Sequence, residues 1–209
     1  MAKYTNADCK LCRREGAKLF LKGERCSTKK CAMDRRPVAP GMHGVTRKKA
    51  SEYNVQLREK QKVKRAYGLL EKQFRAYYEK AAAAEGVTGE VLLSTLERRL
   101  DNVVFRMGFA LTRREARQLV SHGHFTVNGK VCDIPSFLIK AGDVVEVKER
   151  SRSSVKFKRF LGEDAIVVTT PTWIERDKEN LKGTVTRLPE HADIDFPVEE
   201  HLIVELYSK

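Results

Sequence analysis

The chain has 209 residues, 33% of them charged and 41% hydrophobic, with a formal net charge of +13. That length allows one or two domains with a sizeable core. No stretch is apolar enough to span a bilayer and no apolar run follows the N-terminus as a secretory leader would, so a cytoplasmic protein with no membrane partner is expected.

The charge is localised. Residues 1–65 hold 19 Lys and Arg against 6 Asp and Glu, whereas residues 66–209 hold 22 of each sign. A local excess of this kind attracts polyanions and raises the local phosphate concentration.

Four of the five cysteines fall in the spacing Cys9-x2-Cys12-x13-Cys26-x4-Cys31. Without a secretory leader a disulfide framework is not expected. Two thiolates two residues apart can grip one ion from a tight turn, and a second pair closes a tetrahedron. Zinc is the first expectation and an iron–sulfur cluster the second. Lys10, Arg13, Arg14, Lys29 and Lys30 around the thiols are expected to favour thiolate. Cys132 stands alone in a strand and reads as a small core residue.

Asp34 to Ala50 (DRRPVAPGMHGVTRKKA) has prolines, glycines and bases but no period, which predicts an extended arm able to mould to RNA. Its Arg35, Arg36, Arg47, Lys48 and Lys49 join Arg13 and Arg14 as candidate RNA contacts. Ser51 is placed to cap a helix through about Ala66, with Arg58, Lys62 and Arg65 on one face and Lys60 and Lys64 beside them. Gly68 breaks it. The next helix carries Leu70, Phe74, Tyr77 or Tyr78 and Ala81 on one face, aromatics that read as core rather than base-stacking platforms. Gly86 ends that helix.

Thr88 is expected to cap a helix whose Leu92, Leu93, Leu96, Leu100, Val103, Val104 and Met107 form one buried stripe up to Gly108. Thr112 then caps a second helix, and Glu115 completes a capping box. Arg113, Arg114 and Arg117 crowd the start of that helix, where outward-pointing N–H groups also suit phosphate. Beyond Gly123, Phe125-Thr126-Val127 and Lys130-Val131-Cys132 flank Asn128-Gly129, a strong hairpin signal. Gly142-Asp143 turns the chain into a third strand, Val144–Val147. A short helix is expected near Phe157–Leu161. Short strands are expected at Ile166–Val168, around Trp173-Ile174 and at Gly183–Arg187. A final helix, started by Asp195 and Pro197, carries Leu202, Ile203 and Leu206, which need a partner surface.

From Glu190 to the end, the acids Glu190, Asp193, Asp195, Glu199, Glu200 and Glu205 face one base, Lys209. Such an end repels phosphate and suits a protein contact.

The segments Leu96-Glu97-Arg98-Arg99-Leu100-Asp101, Thr112 to Val120 and Val127-Asn128-Gly129 together resemble the S4-type RNA-binding domain family. Its two helices and small sheet bind folded RNA through shape and backbone. The flanks widen the likeness. Cys9–Gly16, Pro40-Gly41-Met42-His43-Gly44, Leu57–Lys62, Leu100–Arg106 and His201–Lys209 resemble the bacterial small-subunit ribosomal protein four family, of its four-cysteine kind. Met42 departs from that pattern, which commonly has glutamine there.

The resemblance implies an α+β protein, with a metal knuckle and basic arm over 1–45 and a helical domain over 46–97 to which a C-terminal helix, 195–209, returns. An inserted S4-type domain would occupy 98–162 and a strand and loop extension 163–194. It further implies a primary 16S ribosomal RNA binder that docks on a helical junction in the 5′ domain and nucleates assembly of the subunit body. Contact with ribosomal protein five, through the region of Tyr53 and Gln56 and the face carrying Glu199 and Glu200, is implied as well. So is an influence on decoding accuracy, with Arg47-Lys48-Lys49 near the path by which messenger RNA enters.

An enzymatic role is the main rival, because such domains also ride on pseudouridine synthases and some tRNA synthetases. The triplet Arg99-Leu100-Asp101 lies inside an amphipathic pattern without the small hydroxyl residue and glycine that the synthase pattern expects. Too little chain remains outside the knuckle and the S4-type stretch for a usual catalytic domain. The five histidines form no nucleophile or metal motif, so no enzymatic activity is expected. A zinc-dependent DNA-binding regulator is the second rival, but the bases are spread too broadly for one recognition helix.

Overall fold

The computed structural model describes residues 4–45, 49–161 and 170–208. Helices α1 (Asp8–Glu15), α2 (Ala32–Arg35), α3 (Glu52–Ala66), α4 (Glu71–Ala82), α5 (Thr88–Glu97), α6 (Leu100–Arg106) and α7 (Arg113–Ser121) come first. They are followed by β1 (Phe125–Val127), β2 (Lys130–Val131), β3 (Val144–Val147), α8 (Glu149–Arg152), α9 (Val155–Lys158), β4 (Ile174–Asp177), β5 (Lys182–Val185) and α10 (Glu200–Ser208). The chain forms two compact units, Met1–Leu93 with Asp195–Lys209, and Ser94–Ile194.

In the first unit, Ser51 accepts a 3.3 Å hydrogen bond from the Asn54 N–H and starts α3 as its sequence predicts. Val63 and Ala66 of α3, Phe74, Tyr77 and Ala81 of α4, Leu92 and Leu93 of α5 and Ile203 of α10 are buried. Leu70 is left exposed. Helix α10 packs on α3. The Gln56 amide donates to Glu205 at 2.9 Å, and the Glu199 N–H donates to Glu59 at 3.0 Å. Tyr207 stacks on Tyr78 with ring centroids 4.6 Å apart and donates to Glu71 at 2.8 Å.

Two boundaries in this unit differ from expectation. Helix α10 begins at Glu200 rather than at Asp195 or Pro197, because Phe196, against the Tyr67 ring, and buried Val198 make apolar contacts along an approach that is not helical. Helix α5 begins at Thr88 itself: the Val91 N–H bonds the Val87 carbonyl, so Val87 takes the capping position. Gly89 allows close passage there, since a Cβ on it would lie 2.4 Å from Glu200 Cγ.

In the second unit, the apolar stripe expected on one helix is split between α5 and α6. Arg99 interrupts it with extended backbone (φ −62°, ψ 136°) and bridges to Leu138. The Leu100 and Asp101 N–H groups at the start of α6 are satisfied by the Phe137 and Pro135 carbonyls at 2.8 and 3.1 Å. Thr112 caps α7 by accepting from the Glu115 N–H at 3.1 Å. The Glu115 carboxylate reaches back to the Leu111 N–H at 2.9 Å, one residue before the cap, and its other oxygen meets Arg159.

The five strands form one antiparallel sheet in the order β2-β1-β3-β5-β4. Asn128 and Gly129 turn the β1–β2 hairpin with positive φ (49° and 78°), as a type I′ turn demands. Asn128 also donates to Asp143 at 2.8 Å and accepts from the Val144 N–H at 2.9 Å, tying the hairpin to β3. The core gathers Leu100, Val104, Met107, Phe109, Phe125, Phe157 and Trp173, with Cys132 partly buried against it. Ser154 starts α9 from extended backbone, so this helix falls earlier than Phe157–Leu161. The expected strand Ile166–Val168 lies outside the described residues. No helix of the described residues is long and apolar enough to cross a membrane.

Candidate nucleic-acid interface and cysteine knuckle

The basic face of α3 is engaged within its own unit. Arg58 reaches Glu15 at 3.2 Å and Arg65 pairs with the same carboxylate, whose side chain is only 1% exposed. Lys62 pairs with Glu59 at 2.7 Å, while Lys60 and Lys64 hold the two oxygens of Glu71 at 2.6 and 2.7 Å. Burial pushes the Glu15 carboxyl up despite Arg65, Arg58 and Arg14, and lowers Arg58. These bases therefore fasten α1 and α4 to α3. Arg13 likewise donates to the Val38 carbonyl at 2.7 Å and ties α1 to the start of the arm.

A second network occupies the start of the second unit. Glu97, wholly enclosed, accepts from Arg106 at 2.9 and 2.7 Å and from Asn102 at 2.7 Å. Arg113 donates to the Asn102 oxygen at 2.8 Å and lies 4.6 Å over the Phe105 ring. Arg99, also enclosed, holds Asp101 through bonds of 3.0 and 2.6 Å. Arg113 thus reaches inward to α6, whereas Arg114 is exposed and Arg117 partly so at the start of α7.

Arg14, Arg35, Arg36 and Lys49 are exposed, and Arg47 and Lys48 lie outside the described residues. The side chains at the surface are therefore those of the knuckle, the arm and α7, rather than the paired bases of α3. Tyr53 is 58% exposed and Glu199 is exposed, Glu200 is partly buried, and Gln56 is enclosed between Glu52 and Glu205.

Cys12, Cys26 and Cys31 are buried and Cys9 partly so; all are free thiols. Gly16, in the left-handed region, ends α1 just beyond Cys12, and a 3-10 turn, Gly23–Ser27, presents Cys26. Burial pushes Cys12 and Cys26 up, against the acidity expected from the neighbouring bases. Backbone hydrogen bonds from Leu19 to Cys12 and from Lys22 to Cys26 pull the other way, and the four sulfurs act on one another electrostatically. An all-thiol donor set with N–H groups turned to its sulfurs suits zinc chemically. As folded, no three His, Cys, Asp or Glu side chains among the described residues are gathered closely enough to hold an ion.

Sequence reasoning overlooked the polar network of Glu97, Asn102 and Arg106. Asn102 and Arg106 share a face of α6 at four-residue spacing, but the break at Arg99 hides that Glu97 meets them. It also overlooked Arg176, whose Nε and Nη1 are enclosed without a partner and whose guanidinium lies 5.4 Å from the Phe109 ring centre. No local motif marks that residue.

Residues 3–97 match the family described as ribosomal protein S4/S9 N-terminal domain, and residues 98–145 match the S4 domain. The sequence is 62% identical to the small ribosomal subunit protein uS4 of Caldicellulosiruptor bescii and 62% identical to that of Acetivibrio thermocellus. It is 59% identical to that of Clostridioides difficile, and each alignment covers the whole of both chains. Two adjoining domain matches and relatives this similar from end to end place the chain in one family: it belongs to the uS4 family of small ribosomal subunit proteins.

Proposed function

We propose that the chain is a structural, non-enzymatic RNA-binding component of the bacterial small ribosomal subunit, working in the cytoplasm on 16S ribosomal RNA. It docks on a helical junction of the 5′ domain, nucleates assembly of the subunit body and, with its neighbours, influences decoding accuracy. The observation that carries this reading is the end-to-end likeness to uS4 proteins. The exposed Arg14, Arg35, Arg36 and Lys49, together with Arg114 and Arg117 beside the capped start of α7, give the reading its phosphate contacts. In this reading Arg47, Lys48 and Lys49 serve the path by which messenger RNA enters.

Cys9, Cys12, Cys26 and Cys31 would hold one zinc ion in this reading, which would order the knuckle. The acidic end around Glu199, with exposed Tyr53, faces ribosomal protein five, while Gln56 supports that surface from within.

Chemical footprinting of the full chain on 16S ribosomal RNA tests the proposal. Protections confined to one junction of the 5′ domain, persisting against excess duplex DNA, are expected. Equal competition by duplex DNA, or no protection of that domain, would overturn it.

A further inference from the structure

At the far end of α7 from its arginines, the fold gathers cations that no sequence motif joins. His122, exposed, follows the last residue of α7, and its ring centre lies 6.1 Å from that of His124. The His124 ring packs edge-on against Phe157 of α9 at 5.8 Å, and its Nδ1 lies 2.9 Å from the Ser151 hydroxyl of α8. The Lys148 N–H donates to the His124 carbonyl at 2.9 Å, which holds the segment after β3 beside it. Of the side chains against the ring, Ser151 and Phe157 are neutral and His122 is protonatable. The charges that act on His124 are His122, Lys156 and Lys148, with no carboxylate among them.

Four cationic or protonatable groups drawn from three segments favour a bound anion. We propose that His122, His124, Lys148 and Lys156 form a phosphate site for the RNA backbone, and that filling it is linked to proton uptake at His124. The inference rests on the RNA-binding function proposed above. It adds a second anchor just beyond the end of α7, about 13 Å from the first at the helix rise of roughly 1.5 Å per residue. A phosphate contact reads no base, so the site positions RNA without selecting its sequence.

The sign of the pH dependence follows from the geometry. Without RNA, burial and then the neighbouring cations lower His124 below its ordinary value, which favours the neutral ring near pH 7. A phosphate between the rings and the two lysines favours the imidazolium instead. Binding therefore takes up a proton at His124 and tightens as the pH falls, until that ring is charged in the free protein as well.

The test uses the full chain and the 5′ domain of 16S ribosomal RNA at constant ionic strength. Wild-type affinity is expected to rise roughly three- to tenfold between about pH 7.5 and about pH 6, as linkage of one proton or less allows. His122→Gln with His124→Gln should remove most of that rise. His43, His191 and His201 remain in both proteins, so the difference isolates this cluster. Because His124 also packs on Phe157, a second variant joins His122→Gln to Lys156→Gln, both at exposed positions. It should keep the fold, flatten the pH dependence and reduce the salt slope of binding by about 0.7–0.9. Equal pH dependence in wild type and both variants would overturn the site while leaving the RNA-binding function intact. No binding at any pH would overturn the function itself.

Discussion

Glu97 and Arg106 meet through two hydrogen bonds, 2.9 and 2.7 Å long, between side chains 0% and 8% exposed. Asn102 and Arg113 complete the arrangement, so the end of α5, the body of α6 and the start of α7 share one buried polar knot. Removing one partner of an enclosed ion pair strands the other charge, which costs about 3–5 kcal/mol. Glu97→Ala should therefore lower the unfolding free energy by about that much in urea denaturation. A loss below about 1 kcal/mol would mean that water replaces the carboxylate without penalty.

The same knot separates the arginines of α7 by role. Arg113→Ala should cost stability, since its guanidinium is spent on Asn102 and the Phe105 ring. Arg114→Ala and Arg117→Ala should weaken RNA binding, since Arg114 is exposed and Arg117 partly so. Each lost phosphate contact should reduce the slope of log affinity against log salt by about 0.7–0.9. Unchanged slope in the Arg114 and Arg117 double variant would turn this face of α7 away from RNA.

Local signals carried much of this architecture. Ser51 and Thr112 cap the helices they precede, Asn128-Gly129 turns the hairpin, and the apolar faces of α4 and α6 are buried. Periodicity failed where long-range partners decide. Arg99 sits mid-pattern between apolar residues, yet its extended backbone bridges to Leu138, thirty-nine positions away in the sequence, and splits one expected helix into two. In the candidate site, charge type was legible but charge pairing was not. Arg58 and Arg65 share a helix face with Lys62, as their spacing requires, but nothing local to α3 shows that Glu15 occupies the far side of two of them.

Acid should weaken the first unit at Glu71. Burial alone would raise this carboxyl, but hydrogen bonds from Lys60, Lys64 and Tyr207 outweigh it and bring the group from 4.5 down to about 2. A carboxylate lowered in the folded state stabilises fully above its unfolded value, and that contribution fades as the pH falls through the folded one. Glu71 is 46% exposed, so solvent screening limits the effect to about 1 kcal/mol or less. Glu71→Gln should be less stable than wild type at neutral pH and indistinguishable from it near pH 2. A constant difference across that range would assign the effect to packing instead.

The cysteine knuckle should depend on metal for its order. Cys12, Cys26 and Cys31 contribute little apolar volume, and a segment this small lacks the core to fold alone, whereas structural zinc contributes about 10–16 kcal/mol in peptides near neutral pH. Cys26→Ser should lose the ion and expose residues 4–31 to protease while the second unit stays folded. Elemental analysis showing no metal in protein prepared under reducing conditions without chelator would defeat this expectation.

The acidic C-terminal end should bear on a protein neighbour rather than on RNA. Glu199 is exposed and is held through its backbone, its N–H donating to Glu59 and its carbonyl accepting from the Leu202 N–H, while Glu200 lies close over Gly89. Reversing Glu199 alone should therefore leave α10 seated, because Ile203 is fully buried and Gln56 still holds Glu205. Reversing Glu200 as well should cost a little stability, since a longer side chain must leave the Gly89 surface. A phosphate contact would be strengthened by such reversals and a contact with a basic protein surface weakened. Glu199→Lys with Glu200→Lys should thus leave affinity for isolated 16S RNA within about threefold, or raise it. The same change should slow incorporation of ribosomal protein five into reconstituted subunits or raise miscoding in a reporter assay. If incorporation and miscoding stay at wild-type values, or if crosslinks from residues 195–208 run mainly to RNA, this end does not serve as a protein contact.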